Sequence, residues 1–270
     1  MDIIVRDVAV SGRYASGMPP EQPADVHHKI GLLTRQLHDS LNELGYAAVD
    51  DETTKETMRE LKGKGYEAAR SGVAVSDTPT GPYRFIRSGR VNAGKLPFDM
   101  DEQAQATMDT LNALHYAKWW TPQWVDAVGK GLILKRDFEG GQMARDMTVY
   151  VDDDGKAYHI FASEENLTLH IAELSDDYLS HTGKYVRVAP AGQNEAPAIF
   201  KKDGMYWMIT SGCTGWAPNE ARMFSAPSIW GPWTQHPNPC VGPNREITFG
   251  GQSTYILKVE GRKDCFIFMG

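Results

Sequence analysis

Apolar residues recur along this chain in two different rhythms. Between residues 24 and 45, Val26, Ile30, Leu33, Leu37, Leu41 and Leu44 follow at steps of four, three, four, four and three. That is one stripe of an amphipathic helix. Asp25 is placed to cap it and Gly45 to end it. A second, more polar helix is expected over residues 51–62. A short strand at 3–10 and a Gly/Pro-rich linker at 17–23 are expected ahead of both.

From Gly65 onward the rhythm shortens to strand-length apolar and aromatic runs divided by turn signals. Strands are expected over 66–75 and 83–86, with Ser76-Asp77-Thr78-Pro79 opening the turn between them. A similar phrase recurs at Ser175-Asp176-Asp177-Tyr178, before a strand at 184–188, and again at Ser225-Ala226-Pro227-Ser228-Ile229-Trp230. Ser175 and Ser225 lie 50 residues apart; Ser76 and Ser175 lie 99 apart, with an insert over 96–137 between them. The insert is helical in tone over 102–114, and Thr121-Pro122 has the form of an N-cap followed by N1. Hairpin turns are expected at Asp153-Asp154-Gly155, Asp203-Gly204 and Glu260-Gly261. A unit of about 50 residues with four short strands is the signature of a β-propeller blade. The fold class is therefore all-β, with a mostly helical segment at 1–62 and a propeller-type domain with its insert at 63–270.

In a propeller the first strand of each blade lines a central channel, so polar residues at equivalent blade starts converge. Asp146 precedes the run Met147–Val151, Glu195 precedes Ala198-Ile199-Phe200, and Gln252 precedes Thr254-Tyr255-Ile256-Leu257. Their separations of 49 and 57 residues match successive blades. A carboxyl at the mouth of a buried hairpin has its proton affinity raised by desolvation, which suits Glu195 to donating a proton near neutrality. Glu164 and Glu165 read either as channel residues binding sugar hydroxyls or as surface acids. Trp216 reads either as a stacking platform or as core, and Arg145 as a channel ligand or an ion-pair partner of a neighbour. Asp152-Asp153-Asp154-Gly155 is calcium-like in composition but lacks the rest of an EF-hand loop, so a solvated turn is expected. His159, His170 and His181 lack metal-ligand spacing.

Composition changes this picture little. The 270 residues are 41% hydrophobic and 23% charged, with net charge −7, which invites neither nucleic acid nor an anionic membrane. Cys213, Cys240 and Cys265 form neither a disulfide framework nor a zinc knuckle, so no metal and no cofactor is expected. No run of 18 apolar residues is present, and the charged opening MDIIVRDVAVSGRY has no export leader pattern.

Three segments carry a resemblance. ARDMTVYVDDDGKAYHIFASEENLTLHIAELSDDYL (144–179), EAPAIFKKDGMYWMITSGCTGW (195–216) and FGGQSTYI (249–256) strongly resemble glycoside hydrolase family 43. They are most similar to its branch of exo-β-1,3-galactanases and galactosidase- or arabinofuranosidase-like enzymes, and the resemblance covers about 61–270. It implies a five-bladed propeller and an inverting glycosidase, in a family usually exported. It also implies Glu195 as general acid, Asp146 as the residue tuning it, and Gln252 at the base position. The substrate implied is a terminal galactosyl or arabinofuranosyl unit of a polysaccharide side chain.

Residues 1–60 do not resemble the family's first blade, and the sequence ends within a strand pattern, which leaves about 3.5 blades. The alternative that follows is a catalytically inactive carbohydrate-binding or interaction domain. Self-association through the helix at 24–45 or through open sheet edges is a further expectation. KIGLLTRQLHDSLNELGY is also faintly similar to the first helix of the chemotaxis phosphatase CheZ, with none of that family's active-site motif.

Overall fold

The protein is described by a computed structural model covering residues 68–79, 83–102, 105 and 121–270. The strand expected at 3–10, the linker, the helices at 24–45 and 51–62, and the CheZ-like stretch lie outside these residues. The helix expected at 102–114 does too, apart from Glu102 and Gln105, which are helical.

The chain divides into two units, Met1–Ala68 with Gly72–Ser88, and Ala69–Ser71 with Gly89–Gly270. In the first lies most of a two-stranded sheet, β1 (Ser71–Val75) and β2 (Arg84–Gly89), shorter at its start than the run at 66–75 suggests. All that follows concerns the second unit.

Two four-stranded antiparallel sheets make up its bulk. Strands β3 (Met147–Val151), β4 (Ala157–Ser163), β5 (Thr168–Leu174) and β6 (His181–Val188) pair in chain order. So do β7 (Asn194–Lys202), β8 (Met205–Gly212), β9 (Arg222–Ala226) and β10 (Thr234–His236). A two-stranded sheet, β11 (Tyr255–Lys258) and β12 (Phe266–Met269), comes last. The expected hairpin turns fall where the sequence places them. Asp203 (φ 52°) and Gly204 (φ 77°) join β7 to β8 as a two-residue turn whose left-handed backbone matches strand twist. The fold is thus all-β with several antiparallel sheets and few helices.

The two large sheets pack face to face. Tyr158, Ile160 and Ala162 of β4, Leu169 and Ile171 of β5, and Val186 and Val188 of β6 meet Ile199, Tyr206, Met208 and Phe224. The alternate residues of the first sheet, Phe161, Ala172 and Tyr185, turn to its other face and pack on Val91, Ile133 and Ala144. Burial on both faces explains why β4 is buried along its whole length and reads as a nearly continuous apolar run.

Two short helices fill the end of the insert, α1 (Pro122–Gly129) and α2 (Lys135–Gly140). Thr121 caps α1 as expected: its hydroxyl accepts from the Trp124 N–H at 3.2 Å, with Pro122 in the first turn. Trp124 and Val128 then pack with Leu134 against Leu167, directly behind the β4–β5 turn.

The Asp152-Asp153-Asp154-Gly155 turn departs from expectation. Asp153 is exposed, but Asp152 turns inward and accepts from Lys201 Nζ at 2.9 Å and from the Tyr206 hydroxyl. Burial of the Asp152 carboxyl opposes ionisation, yet these donors hold its pKa below the ordinary range. A carboxylate on one sheet thereby fastens the next, a role that local turn chemistry does not reveal.

Because the sheet interface is apolar and buried, truncation there leaves a cavity. Phe224→Ala is expected to cost about 3–5 kcal/mol, read as a drop in unfolding midpoint. Val151→Thr, at a position 53% exposed, should stay within about 0.5 kcal/mol. Equal effects of the two would contradict this packing.

Candidate active site

Strand β7 lies against β3 and β4 on one side and β11 on the other, so the starts of β3, β7 and β11 are neighbours. Asp146, Glu195 and Gln252 stand at or just ahead of those starts. The link between them is a bulge. Glu195 pairs with Ser211 and Ala198 with Ile209, which leaves one extra residue on β7. Ala196 carries it in a left-handed conformation, φ 51°, although it is neither glycine nor asparagine. Its N–H donates to Asp146 Oδ2 at 3.2 Å, and its carbonyl accepts the Ser253 hydroxyl. Both neighbouring segments therefore hold the bulge, and the bulge aims Glu195.

The Glu195 carboxylate accepts from Asn166 Nδ2 at 3.1 Å and from Gln252 Nε2 at 3.3 Å; the Gln252 amide also donates to Ser211 Oγ at 2.7 Å. Burial pushes the Glu195 pKa up and the charge of Asp146 pushes it further, against the donors Gln252 and Cys213 and the charge of Arg145. The Asp146 pKa is raised as well, by desolvation of its carboxyl, with the Ala196 N–H and Arg145 opposing. The Cys213 thiol, half-buried beside Glu195, is pushed up to about 12 and stays protonated.

Asn166 is supplied by an unusual turn. Glu164, Glu165 and Asn166 between β4 and β5 are all left-handed, with φ of 50°, 58° and 64°. Three such residues in a row store strain, of the kind that persists where surrounding contacts over-determine it. Here the contacts are two buried ion-pair systems. Glu164, 2% exposed, receives Arg187 through Nε at 2.7 Å and Nη2 at 2.6 Å, His170 Nε2 at 3.0 Å and the Thr168 hydroxyl at 3.1 Å. Glu165, 5% exposed, is shared by Arg145 and by Arg136 of α2 at 3.3 Å. Arg136 is itself forked onto the buried Asp137, at 3.0 Å through each of two nitrogens.

This corrects the surface reading of Glu164 and Glu165 and, for Glu164, the channel reading as well. They are not surface acids, and Glu164 is not a channel residue either, because its oxygens are taken up by Arg187, His170 and Thr168. Arg145 is an ion-pair partner. Trp216 is 91% exposed on the β8–β9 loop and is therefore no core residue. His159 is buried and bonded to His181 at 3.0 Å. Among the described residues no group of three or more His, Cys, Asp or Glu could hold a metal ion. Sequence reasoning passed over Asn166, Ser211, Ser253 and Cys213; Asn166 sits next to two candidates in SEENLT, and a short polar residue there is its one local signal.

Gln252 stands just ahead of β11, with its amide 3.3 Å from the Glu195 carboxylate. An inverting pair is separated by roughly 6.5–9.5 Å to admit a water. The Gln252 amide touches the Glu195 carboxylate instead.

Residues 100–270 match the sequence pattern of Glycosyl hydrolases family 43. The chain belongs to that family. A solved family 43 β-1,3-galactosidase with galactodeoxynojirimycin is 62% identical with a TM-score of 0.71, over 76% of this chain and 59% of its own. A solved exo-β-1,3-galactanase from Clostridium thermocellum is 33% identical with a TM-score of 0.53, over 74% of this chain and 34% of its own. The β-D-galactofuranosidase of Aspergillus niger is 30% identical over 129 residues, 43% of this chain and 37% of that protein. A further 58-residue stretch is 47% identical to threonine synthase of Escherichia coli, over 22% of this chain and 13% of that protein. The chain thus spans 59% of the first solved relative and 37% of the first curated one.

Glu164 gives the site a measurable acid limit. Burial alone would raise its pKa, but Arg187 and His170 outweigh that and hold it at about 2 against an ordinary 4.5. A carboxyl depressed on folding contributes stability that is fully present above about 4.5 and is lost as pH falls toward about 2. Glu164→Gln is expected to flatten the acid limb of thermal stability in that window. It should also lower stability near neutrality by about 3–5 kcal/mol, because Arg187 is left buried and unpaired. An acid limb unchanged by the substitution would contradict this pairing.

Proposed function

We propose that this chain is a glycosidase that releases terminal galactosyl units, with β-1,3-linked galactan-type chains as the substrate class and Glu195 as the general acid. The observation that carries the reading is the raised Glu195 carboxyl between two amide donors, with Asp146 as the neighbouring charge. The 62% identity to a β-1,3-galactosidase favours galactose over arabinofuranose. In this reading the two four-stranded sheets are blades of the family's five-bladed propeller; the adjacency of β3, β7 and β11 supports it.

The chemistry follows from the two sets of forces on one carboxyl. Desolvation and Asp146 raise the proton affinity of Glu195. As the glycosidic C–O bond breaks, that proton moves to the leaving oxygen and a carboxylate forms. Asn166 Nδ2 and Gln252 Nε2 already point at the oxygens on which the charge develops, so its stabilisation needs no reorganisation. The Asp146 carboxylate accepts one hydrogen bond among the described residues, from the Ala196 N–H, so its second oxygen is open to a sugar hydroxyl. Water attacks the opposite face of the ring in an inverting reaction and gives up its proton to solvent, from which Glu195 is reprotonated. Gln252, in contact with the acid, is assigned to charge stabilisation rather than to that water.

The same contact favours a second reading, sugar binding without turnover, since no group stands across the ring from Glu195 among its partners. Galactose binding by a folded chain that hydrolyses nothing would identify it.

Acid catalysis is tested by leaving-group dependence. Glu195→Gln is expected to lose about 10²–10⁴ in kcat/KM on β-1,3-galactobiose, where the leaving alcohol needs a proton. On dinitrophenyl β-galactoside, whose leaving group departs as an anion, the loss should be much smaller. Equal losses on both substrates would remove Glu195 from the acid role.

A further inference from the structure

Glu165 lies between two guanidinium groups. Arg136 of α2 donates to its Oε1 at 3.3 Å, and Arg145 pairs with its Oε2. Both oxygens of a carboxylate that is 5% exposed are thereby engaged. Pairing at the start of the first sheet accounts for the Arg145 contact. The Arg145 N–H donates to the Ala162 carbonyl and the Ala162 N–H to the Asp146 carbonyl, each at 2.9 Å. Residues 145 and 146 thus run beside the end of β4, level with the turn that carries Glu165 and Asn166.

The two guanidinium groups are not equivalent. Arg136 is forked onto Asp137, which Arg90 also approaches at 3.5 Å, so its charge is matched there. Arg145 has Glu165 on one side and the two carboxyls proposed for catalysis on the other. It is the chain neighbour of Asp146, and its permanent positive charge lowers the proton affinity of both Asp146 and Glu195. Glu165 is the counter-charge to that effect. It also directly precedes Asn166, whose amide donates to Glu195 at 3.1 Å. Signs therefore alternate from Asp137 through Arg136, Glu165 and Arg145 to Asp146. The groups packed around this row are matched or neutral: Glu164 is held by Arg187 and His170, and the Cys213 thiol is protonated.

We propose that Glu165 is a positioning residue for the acid: its ion pair ties the Arg145 guanidinium to the β4–β5 turn and offsets that charge at the Asp146–Glu195 pair. The proposal rests on the reading of Glu195 as the acid. Through Arg136, the insert takes part in setting the charge around that acid.

The test follows the Glu195 carboxyl by carbon-13 NMR and the basic limb of kcat/KM on β-1,3-galactobiose, in the unaltered full chain and in its variants. Glu165→Gln leaves Arg145 unopposed, so the Glu195 midpoint and the basic limb should both fall, by about 0.5–1 pH unit. Arg145→Gln removes the positive charge, and both should rise by a similar amount. Combining the two substitutions removes one charge of each sign and should return both readings close to those of the unaltered chain. Glu165→Asp keeps the charge and should stay within about 0.3 unit. Single variants that lower kcat/KM while midpoint and limb stay in place, or that move them in the same direction, would show a bracing role alone and overturn the proposal. Midpoints that move as expected beside an unmoved limb would remove Glu195 from the acid role and uphold the coupling. If the unaltered chain hydrolyses nothing, the midpoints decide: opposite shifts that cancel in the double variant uphold the proposal, and unmoved midpoints end it.

Discussion

The left-handed bulge at Ala196 is the constraint on which the site depends. A non-glycine residue at φ 51° is held there by an N–H bond to Asp146 and a hydroxyl bond from Ser253, one from each flanking segment. The bulge breaks the β7–β8 register just after Glu195, which lets the buried run Ala198-Ile199 enter the sheet while the carboxyl faces the neighbouring strand starts. Local strain, sheet packing and acid placement are thus one arrangement. Relaxing the bulge would move Glu195 relative to Asp146, Asn166 and Gln252 together.

Electrostatics sorts the nearby carboxylates into two layers. Behind the site, Glu164, Glu165 and Asp137 are buried and matched to Arg187, Arg145 and Arg136. In low dielectric such pairs are costly to break, so they brace the strained turn that presents Asn166. In front, Glu195 and Asp146 have no arginine in hydrogen-bond contact among the described residues; both have raised proton affinity, as the deeply buried Asp137 has behind them despite Arg136. The same desolvation acts on both layers. What separates the bracing carboxylates from the two proposed for catalysis is whether a guanidinium lies against them.

How much of this was legible in the sequence depended on range. The Asp203-Gly204 hairpin and the Thr121-Pro122 cap are local and were readable from residue type. The nearness of Asp146, Glu195 and Gln252 at the strand starts was readable from spacing, because successive antiparallel sheets bring equivalent strand starts together. The fate of Glu164 was not: its partner Arg187 is 23 residues away and sits on a strand whose pattern says only that alternate residues face alternate sides. Arg136 reaches Glu165 from the insert, 29 residues away, which no local motif encodes. Asn166 acquires its role only through three consecutive left-handed residues. Asp152 looked like part of a solvated turn because nothing local announces Lys201 and Tyr206 on the next sheet. The contact of Gln252 with Glu195 was likewise a matter of ångströms, below the resolution of a spacing argument.

In the proposed site, Asp146 and burial together raise the proton affinity of Glu195. The most direct measurement is a carbon-13 NMR titration of the Glu195 carboxyl in the unaltered chain and in Asp146→Asn, whose amide oxygen can still accept the Ala196 N–H. The account predicts a midpoint above the ordinary 4.5 that falls when the Asp146 charge is removed. A midpoint at or below 4.5, unmoved by Asp146→Asn, would contradict it.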